Sequence, residues 1–360
     1  MTSMLARICE EIRREGPISV ERYMALCLFD SDFGYYTTQE PFGVAGDFTT
    51  APEVSQMFGE MLAAWWVASR EAMALPDMAL AEIGPGKGTL MQDMLRAISK
   101  LQKHPLPAAH LVEASPRLAA MQREKLSEAR SVISWHATPD TLPPLPLGII
   151  ANELFDAIPA QQYVKTANSW RERLVAIGGN GLLEFATGNK RLPDKDLPDG
   201  HEAQPIGQIF EIAPGRTAFM QTLARHIRLH GGLTLLIDYG HAQSGFGDTL
   251  QAVKSHKFSP VLDHLGEADL TSHVDFFSLG ETALRLGLSV HEIMTQGDFL
   301  HGCGIAARAE ALKSAAEPDA VSAIDSALRR LTDASDMGSL FKVLCVSSAP
   351  VALPPFKIWH

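Results

Sequence analysis

Short apolar runs at 78–83, 109–113, 131–135, 147–151 and 233–238 alternate with longer stretches of mixed polarity. That alternation is the pattern of parallel strands joined by crossover helices, and helices are predicted between the runs at about 88–103 and 116–129. Upstream, residues 4 to 30 read as one or two short helices broken at Gly16-Pro17, and the loop Asp32 to Asp47 is rich in glycine and aromatic residues. Thr50 and Glu53 then have capping-box spacing, and Val54, Met57, Phe58, Met61, Leu62 and Trp65 keep to the i, i+3, i+4, i+7 series of a helix with one buried face. Residues 161–212 break the rhythm with strand-like alternation around Gly178-Gly179-Asn180-Gly181, an antiparallel hairpin. After it come a helix stopped by Gly231-Gly232, the run LTLLIDYG, a helix from Ser278 with an S-x-x-E box, an alanine-rich helical region at 309–335 and a last strand in SLFKVLCVSS. The expected domains are an N-terminal helical region over 1–75 that covers the cofactor site, an α/β domain made of 76–160 and 214–360, and an inserted lid or substrate module over 161–213.

Composition narrows the partners. The 360 residues are 46% hydrophobic, enough for a large core, and 31 lysines and arginines against 42 acids give a net charge of −11. Such a chain does not attract nucleic acid or anionic membrane non-specifically, and a basic or neutral partner is expected. Cys9, Cys27, Cys303 and Cys345 are far apart with no C-x-x-C pair, so neither a zinc site nor a disulfide framework is indicated. The opening MTSMLARICEEIRREGP has no long apolar core, its Glu10 and Glu11 are wrong for a targeting peptide, and no apolar run approaches the ~20 residues of a membrane span. A cytoplasmic protein is expected, with a homodimer left open.

The stretch ALAEIGPGKGTL puts Gly84, Pro85, Gly86, Gly88 and Thr89 between a predicted strand and a predicted helix. Glycine there allows a tight turn and close approach of backbone to a ligand. The spacing G-x-G-x-G is neither the phosphate loop nor the dinucleotide fingerprint, whose third glycine is replaced by Thr89. The second strand ends at Glu113-Ala114, where an acid can accept hydrogen bonds from both ribose hydroxyls of a nucleoside over the sheet's carboxyl edge. A nucleoside without a pyrophosphate fits both features, which points to S-adenosylmethionine. Taken singly, the glycines also suit a plain tight turn, and Glu113 suits a cap for the helix after Ser115-Pro116.

GDFTTAPEVSQMFGE, EIGPGKGTL, LVEASPRL, ANELFDAIP, LLIDYG, GEADLTSHVDF and MGSLFKVL, in order along nearly the whole chain, resemble blocks of the MidA-type methyltransferases, a family with a mitochondrial complex I assembly factor that methylates arginine. The resemblance implies a class I, Rossmann-like, seven-stranded α/β fold with S-adenosyl-L-methionine as donor, and a protein arginine, in a complex I core subunit homologue, as acceptor. It further implies that Gly84, Gly86 and Gly88 line the methionine part, that Glu113 holds the ribose, and that Gly46, Asp47, Phe48 and Thr49 fold back over the cofactor. Lys87 departs from the arginine frequent at its position, and 247–267 is only loosely like the family's block.

Arginine is a difficult nucleophile because its guanidinium stays protonated and has no free lone pair. Carboxylates that bind its other nitrogens can orient the attacking one and draw the charge away from it. Two acids near the methyl group are therefore expected, and Glu153 and Asp156 have the spacing of one helix face if the chain turns helical after Ile150. Asn152 would start that helix, as its cap or as an acceptor from the substrate; Asp156 also suits a simple dipole-compensating acid. His273, with Asp275 two residues on, is a candidate receiver of the released proton, or a structural histidine beside a helix start. His226 and His230 are spaced as two metal ligands but lack a third, and a helix-end role suits them better. Against an arginine methyltransferase stand two other readings, a cofactor-binding assembly chaperone and, less compatible with the glycine spacing, a nicotinamide oxidoreductase.

Overall fold

A computed structural model of the chain describes residues 3–38, 50–101 and 107–359. They fall into two compact units, one made of 50–154, 219–242 and 274–359, the other of 3–38, 155–218 and 243–273. Residues 50–72 thus group with the strands at 79–152, and 243–273 group with the segment 155–218.

The first unit is built on a sheet whose main path has seven strands: β1 (Ala79–Ile83), β2 (Ala109–Val112), β3 (Ile133–His136), β4 (Leu147–Asn152), β5 (Gly232–His241), β6 (Ser289–Val290) and β7 (Phe341–Ser347). Their order is β6-β7-β5-β4-β1-β2-β3, and two-residue strands at Val274–Asp275 and Met294–Thr295 add to β5 and β7. All pairs from β3 to β5 are parallel, while β7 runs antiparallel to both its neighbours. The chain steps from β1 outward to β2 and β3, then crosses to β4 on the other flank of β1. A crevice opens at such a reversal, at the carboxyl ends of the strands. Ile83 lies opposite both Val112 and Ala151, so Gly84, Glu113 and Asn152 emerge along one edge of the sheet.

Helices α1 (Gln56–Ala72), α2 (Thr89–Leu101) and α3 (Pro116–Lys125) belong to this unit. Met57, Phe58, Met61, Leu62 and Trp65 are buried on α1, as its apolar spacing predicts, and Trp66 is buried beside them. Trp66 lies so close to β4 that a Cβ at Gly148 would come within 2.1 Å of its indole nitrogen, which is why a strand otherwise rich in isoleucine carries glycine there. Two helix starts differ from expectation. Thr50 makes no side-chain cap, and Glu53 accepts instead from the Thr89 hydroxyl at 2.5 Å. Ala51–Val54 is a single turn, broken by the extended backbone of Ser55, whose side chain caps α1 by accepting from Met57 N. The helix Phe276–Arg285 is capped by Asp275, which accepts from Ser278 N at 3.0 Å, so Ser278 lies inside it. Aspartate three residues upstream is an equally good cap and takes the role.

In the second unit, Trp170–Ile177 and Leu183–Leu192 form the expected hairpin, closed by Gly178 N donating to Leu182 O. It is part of a five-stranded antiparallel sheet with Gln161–Lys165, Ile209–Ile212 and the short Ile18–Ser19. A three-stranded sheet, with Gln251–Lys254 between Lys257–Ser259 and Asp269–Thr271, completes the unit. Arg216, buried at 4% exposure, ties the loops together. Its guanidinium donates to the carbonyls of Asp156, Ile158, Ser272 and His273 and to the Ser272 hydroxyl. Replacing Arg216 by Met strands these acceptors in the interior, so we expect a loss of about 3 kcal/mol in denaturant unfolding. An unchanged midpoint would show that the loops hold without it.

Candidate active site

The strand-to-helix turn after β1 has all three of its glycines at positive φ: +66° at Gly84, +53° at Gly86 and +78° at Gly88. L side chains rarely adopt that conformation, so the turn fixes residue type without reference to a ligand. Gly88 N donates to Pro85 O at 2.7 Å and its carbonyl accepts from Gln92 N, which leads the chain into α2. The Thr89 hydroxyl, first in the helix, donates to Glu53 and accepts from Lys125 Nζ at 2.5 Å.

Glu113 follows β2 directly. One carboxylate oxygen accepts from Ser115 N at 2.8 Å and the other from Gln122 Nε2 at 3.1 Å. Burial pushes its carboxyl above the usual range, and hydrogen bonds from Ser115, Gln122 and the Ala114 backbone pull it back. The cap of α3 is Ser115, which accepts from Leu118 N, so Glu113 is not needed for that purpose. Glu82, two residues before Gly84, is a second buried acid at 4% exposure. Desolvation lifts its pKa to about 8 although Met91 N donates to it, and its Oε2 has no partner among the described residues.

Across β1, the polar cluster behind β4 is arranged differently from expectation. The strand continues through Asn152, and residues 153–160 form turns with no helix. Glu153 takes a left-handed φ of +50°, which ends the strand and prevents a helix from starting there. Asn152 is therefore no helix cap; its Nδ2 donates to Glu153 Oε1 at 3.0 Å, and its Oδ1 is buried with no partner among the described residues. Glu153 Oε1 also accepts from Ala51 N at 2.9 Å, and its own N–H donates to Ile237 O on β5. The next amide, Leu154 N, donates to the buried carboxylate of Asp238 at 3.1 Å.

Asp156 and His273 belong to the other unit, so the shared helix face expected for Glu153 and Asp156 does not exist. Asp156 is buried, and its carbonyl accepts from Ser272 N and Arg216. His273 donates its N–H to the Thr249 hydroxyl at 2.9 Å. Arg216 thereby brings these two candidates onto adjoining segments. His226 Nε2 lies 3.2 Å from Leu145 O, and its ring centre is 4.8 Å from that of His230. No three metal-binding side chains cluster among the described residues. Gly46, Asp47 and Phe48 lie outside the described residues.

Gly84, Gly86, Gly88 and Glu113 thus stand at neighbouring strand ends of one unit, a glycine turn after one strand and a carboxylate after the next. Residues 59–294 match the family described as "Putative S-adenosyl-L-methionine-dependent methyltransferase". The chain belongs to this family. It is 32% identical over 377 residues to the zebrafish (Danio rerio) protein arginine methyltransferase NDUFAF7, mitochondrial, covering 96% of this chain and 86% of that one. Its human (Homo sapiens) counterpart is 33% identical over 341 residues, covering 87% and 76%. A Burkholderia thailandensis protein crystallised with S-adenosyl-homocysteine superposes with a TM-score of 0.82 at 26% identity, over 96% of this chain and 91% of that one. The methyltransferase therefore uses S-adenosylmethionine on a class I fold. Three of its polar residues were hidden in the sequence: Glu82 and Asp238 inside apolar strands, and Gln122 on a helix that reads as a polar surface.

Proposed function

We propose that this methyltransferase modifies an arginine side chain of a protein, with a homologue of a respiratory complex I core subunit as the acceptor. The single observation that carries the reading is Glu153. It is a carboxylate at the crevice edge of β4, held in a backbone conformation that costs about 1–3 kcal/mol for a residue other than glycine. A Cβ at Gly84 would meet Leu154 at 2.8 Å, so this carboxylate follows β4 directly beside the glycine turn, a place that suits a group orienting a guanidinium. Kinship over nearly the whole length with proteins named for arginine methylation supports the same acceptor.

In this reading Gly84, Pro85, Gly86 and Gly88 give backbone access for the methionine end of the donor, and Glu113 with Ala114 takes the ribose. Thr89 is proposed to set the start of α2. The donor's sulfonium supplies an electrophilic methyl group. Glu153 accepts from guanidinium N–H groups and keeps the positive charge away from the attacking nitrogen, while Asn152 fixes the Glu153 carboxylate by its 3.0 Å bond. The four free cysteines suit a reducing compartment, which we take to be the cytoplasm.

Incubating the protein with donor labelled in its methyl group and a cell lysate, followed by mass spectrometry of labelled bands, tests the proposal. Label on arginine is expected. Cofactor binding without transfer to any protein would overturn it in favour of an assembly chaperone.

A further inference from the structure

Gln122 on α3 is fully buried and meets three partners of unambiguous polarity. Its Oε1 accepts from Trp135 Nε1 at 3.0 Å, and its Nε2 donates to Gly86 O at 2.8 Å and to Glu113 Oε2 at 3.1 Å. An indole nitrogen can only donate and a carbonyl can only accept, so the amide has one satisfactory orientation and both its hydrogens are used. One side chain therefore joins the glycine turn after β1 to the acid after β2. A Cβ at Gly88 would already stand 3.4 Å from Gln122 Cγ, so the glycine turn lies directly against this residue.

We propose that Gln122 is a positioning residue for cofactor binding: it sets the spacing between the glycine turn and the Glu113 carboxylate and aims that carboxylate's lone pairs. The inference rests on the reading of Glu113 as the ribose acid. To bind two hydroxyls, the carboxylate must accept through both oxygens, and its lone pairs must point where the hydroxyls arrive. Ser115 N orients one oxygen and Gln122 the other. A proton on Oε2 would face the Gln122 N–H, so the amide also opposes the protonated form that burial favours.

The test is calorimetry of S-adenosylhomocysteine binding between pH 5.5 and 8.5, on wild type, Q122M, Q122E, E113Q and E113Q/Q122M, with thermal unfolding of each. Met keeps length and bulk but donates nothing; Glu keeps the acceptor for Trp135 and sets a like charge beside Glu113. We expect Q122M to weaken binding about 10-fold at pH 7, the scale of one hydrogen bond to a charged group, with a larger loss at pH 5.5 as Glu113 protonates more easily. Q122E should weaken it further at high pH. In the double variant E113Q/Q122M the losses should be less than additive. Unchanged affinity in a folded Q122M, a loss independent of pH, or full additivity each overturns the proposal. Loss in E113Q with none in Q122M removes Gln122 alone, whereas intact affinity in E113Q overturns the ribose reading and this inference together.

Discussion

Glu153→Gln is expected to lower the rate of methyl transfer about 10²- to 10³-fold, the scale of losing one preorganised electrostatic contact in an active site. Affinity for S-adenosylhomocysteine should stay within about threefold, less than 1 kcal/mol. The substitution separates charge from shape. Gln retains an oxygen that can accept from Ala51 N and Asn152 Nδ2, so the bonds at 2.9 and 3.0 Å that seat the side chain survive. What disappears is the negative charge that holds a guanidinium with one nitrogen free to attack. Glu153→Gly provides the complementary measurement. Glycine accepts the φ of +50° without strain, so this variant should equal or exceed wild type in backbone stability at that turn while losing transfer. A Gln variant that transfers methyl groups at the wild-type rate would remove Glu153 from the chemistry.

The sheet was legible because its strands are apolar runs bounded by turn residues, and the placing of the glycine turn and Glu113 on neighbouring strand ends was legible because both follow such runs directly. Both are local signals. The polar cluster behind β4 was misread for a specific reason: Asn followed by acids is the ordinary signature of a helix start, and nothing local announces a glutamate with positive φ. That conformation is held by long-range bonds, from Glu153 N to Ile237 O and from Leu154 N to Asp238, which lie more than eighty residues away along the chain. Gln122 was missed on similar grounds. A glutamine in PRLAAMQREK looks solvated until α3 is laid against Trp135 and the glycine turn. The shift of two caps, from Thr50 to Ser55 and from Ser278 to Asp275, has a smaller cause, since each stretch offers several competent capping residues and backbone geometry chooses among them.

Glu82→Gln is expected to flatten the pH dependence of stability in the cofactor-free protein. The native carboxyl of Glu82 titrates at about 8 against an ordinary 4.5, because burial disfavours its charged form more than the bond from Met91 N favours it. A group raised in the folded state contributes its full stability below the unfolded value, and that contribution is lost as pH rises through the folded value. Wild type should therefore lose stability from pH 4.5 to 8 by as much as ~5 kcal/mol, at 1.36 kcal/mol per unit, before other groups are counted. Gln has no proton to lose and can still accept from Met91 N, so E82Q should lack this slope while the raised carboxyls of Glu113 and Asp93 keep theirs. At pH 5 Gln puts an amide where the carboxyl oxygen has no partner, so E82Q should be no more stable than wild type there and more stable at pH 8.5. Unfolding midpoints across that range decide the matter: parallel curves for the two proteins would mean that Glu82 is ionised or solvated in the native state.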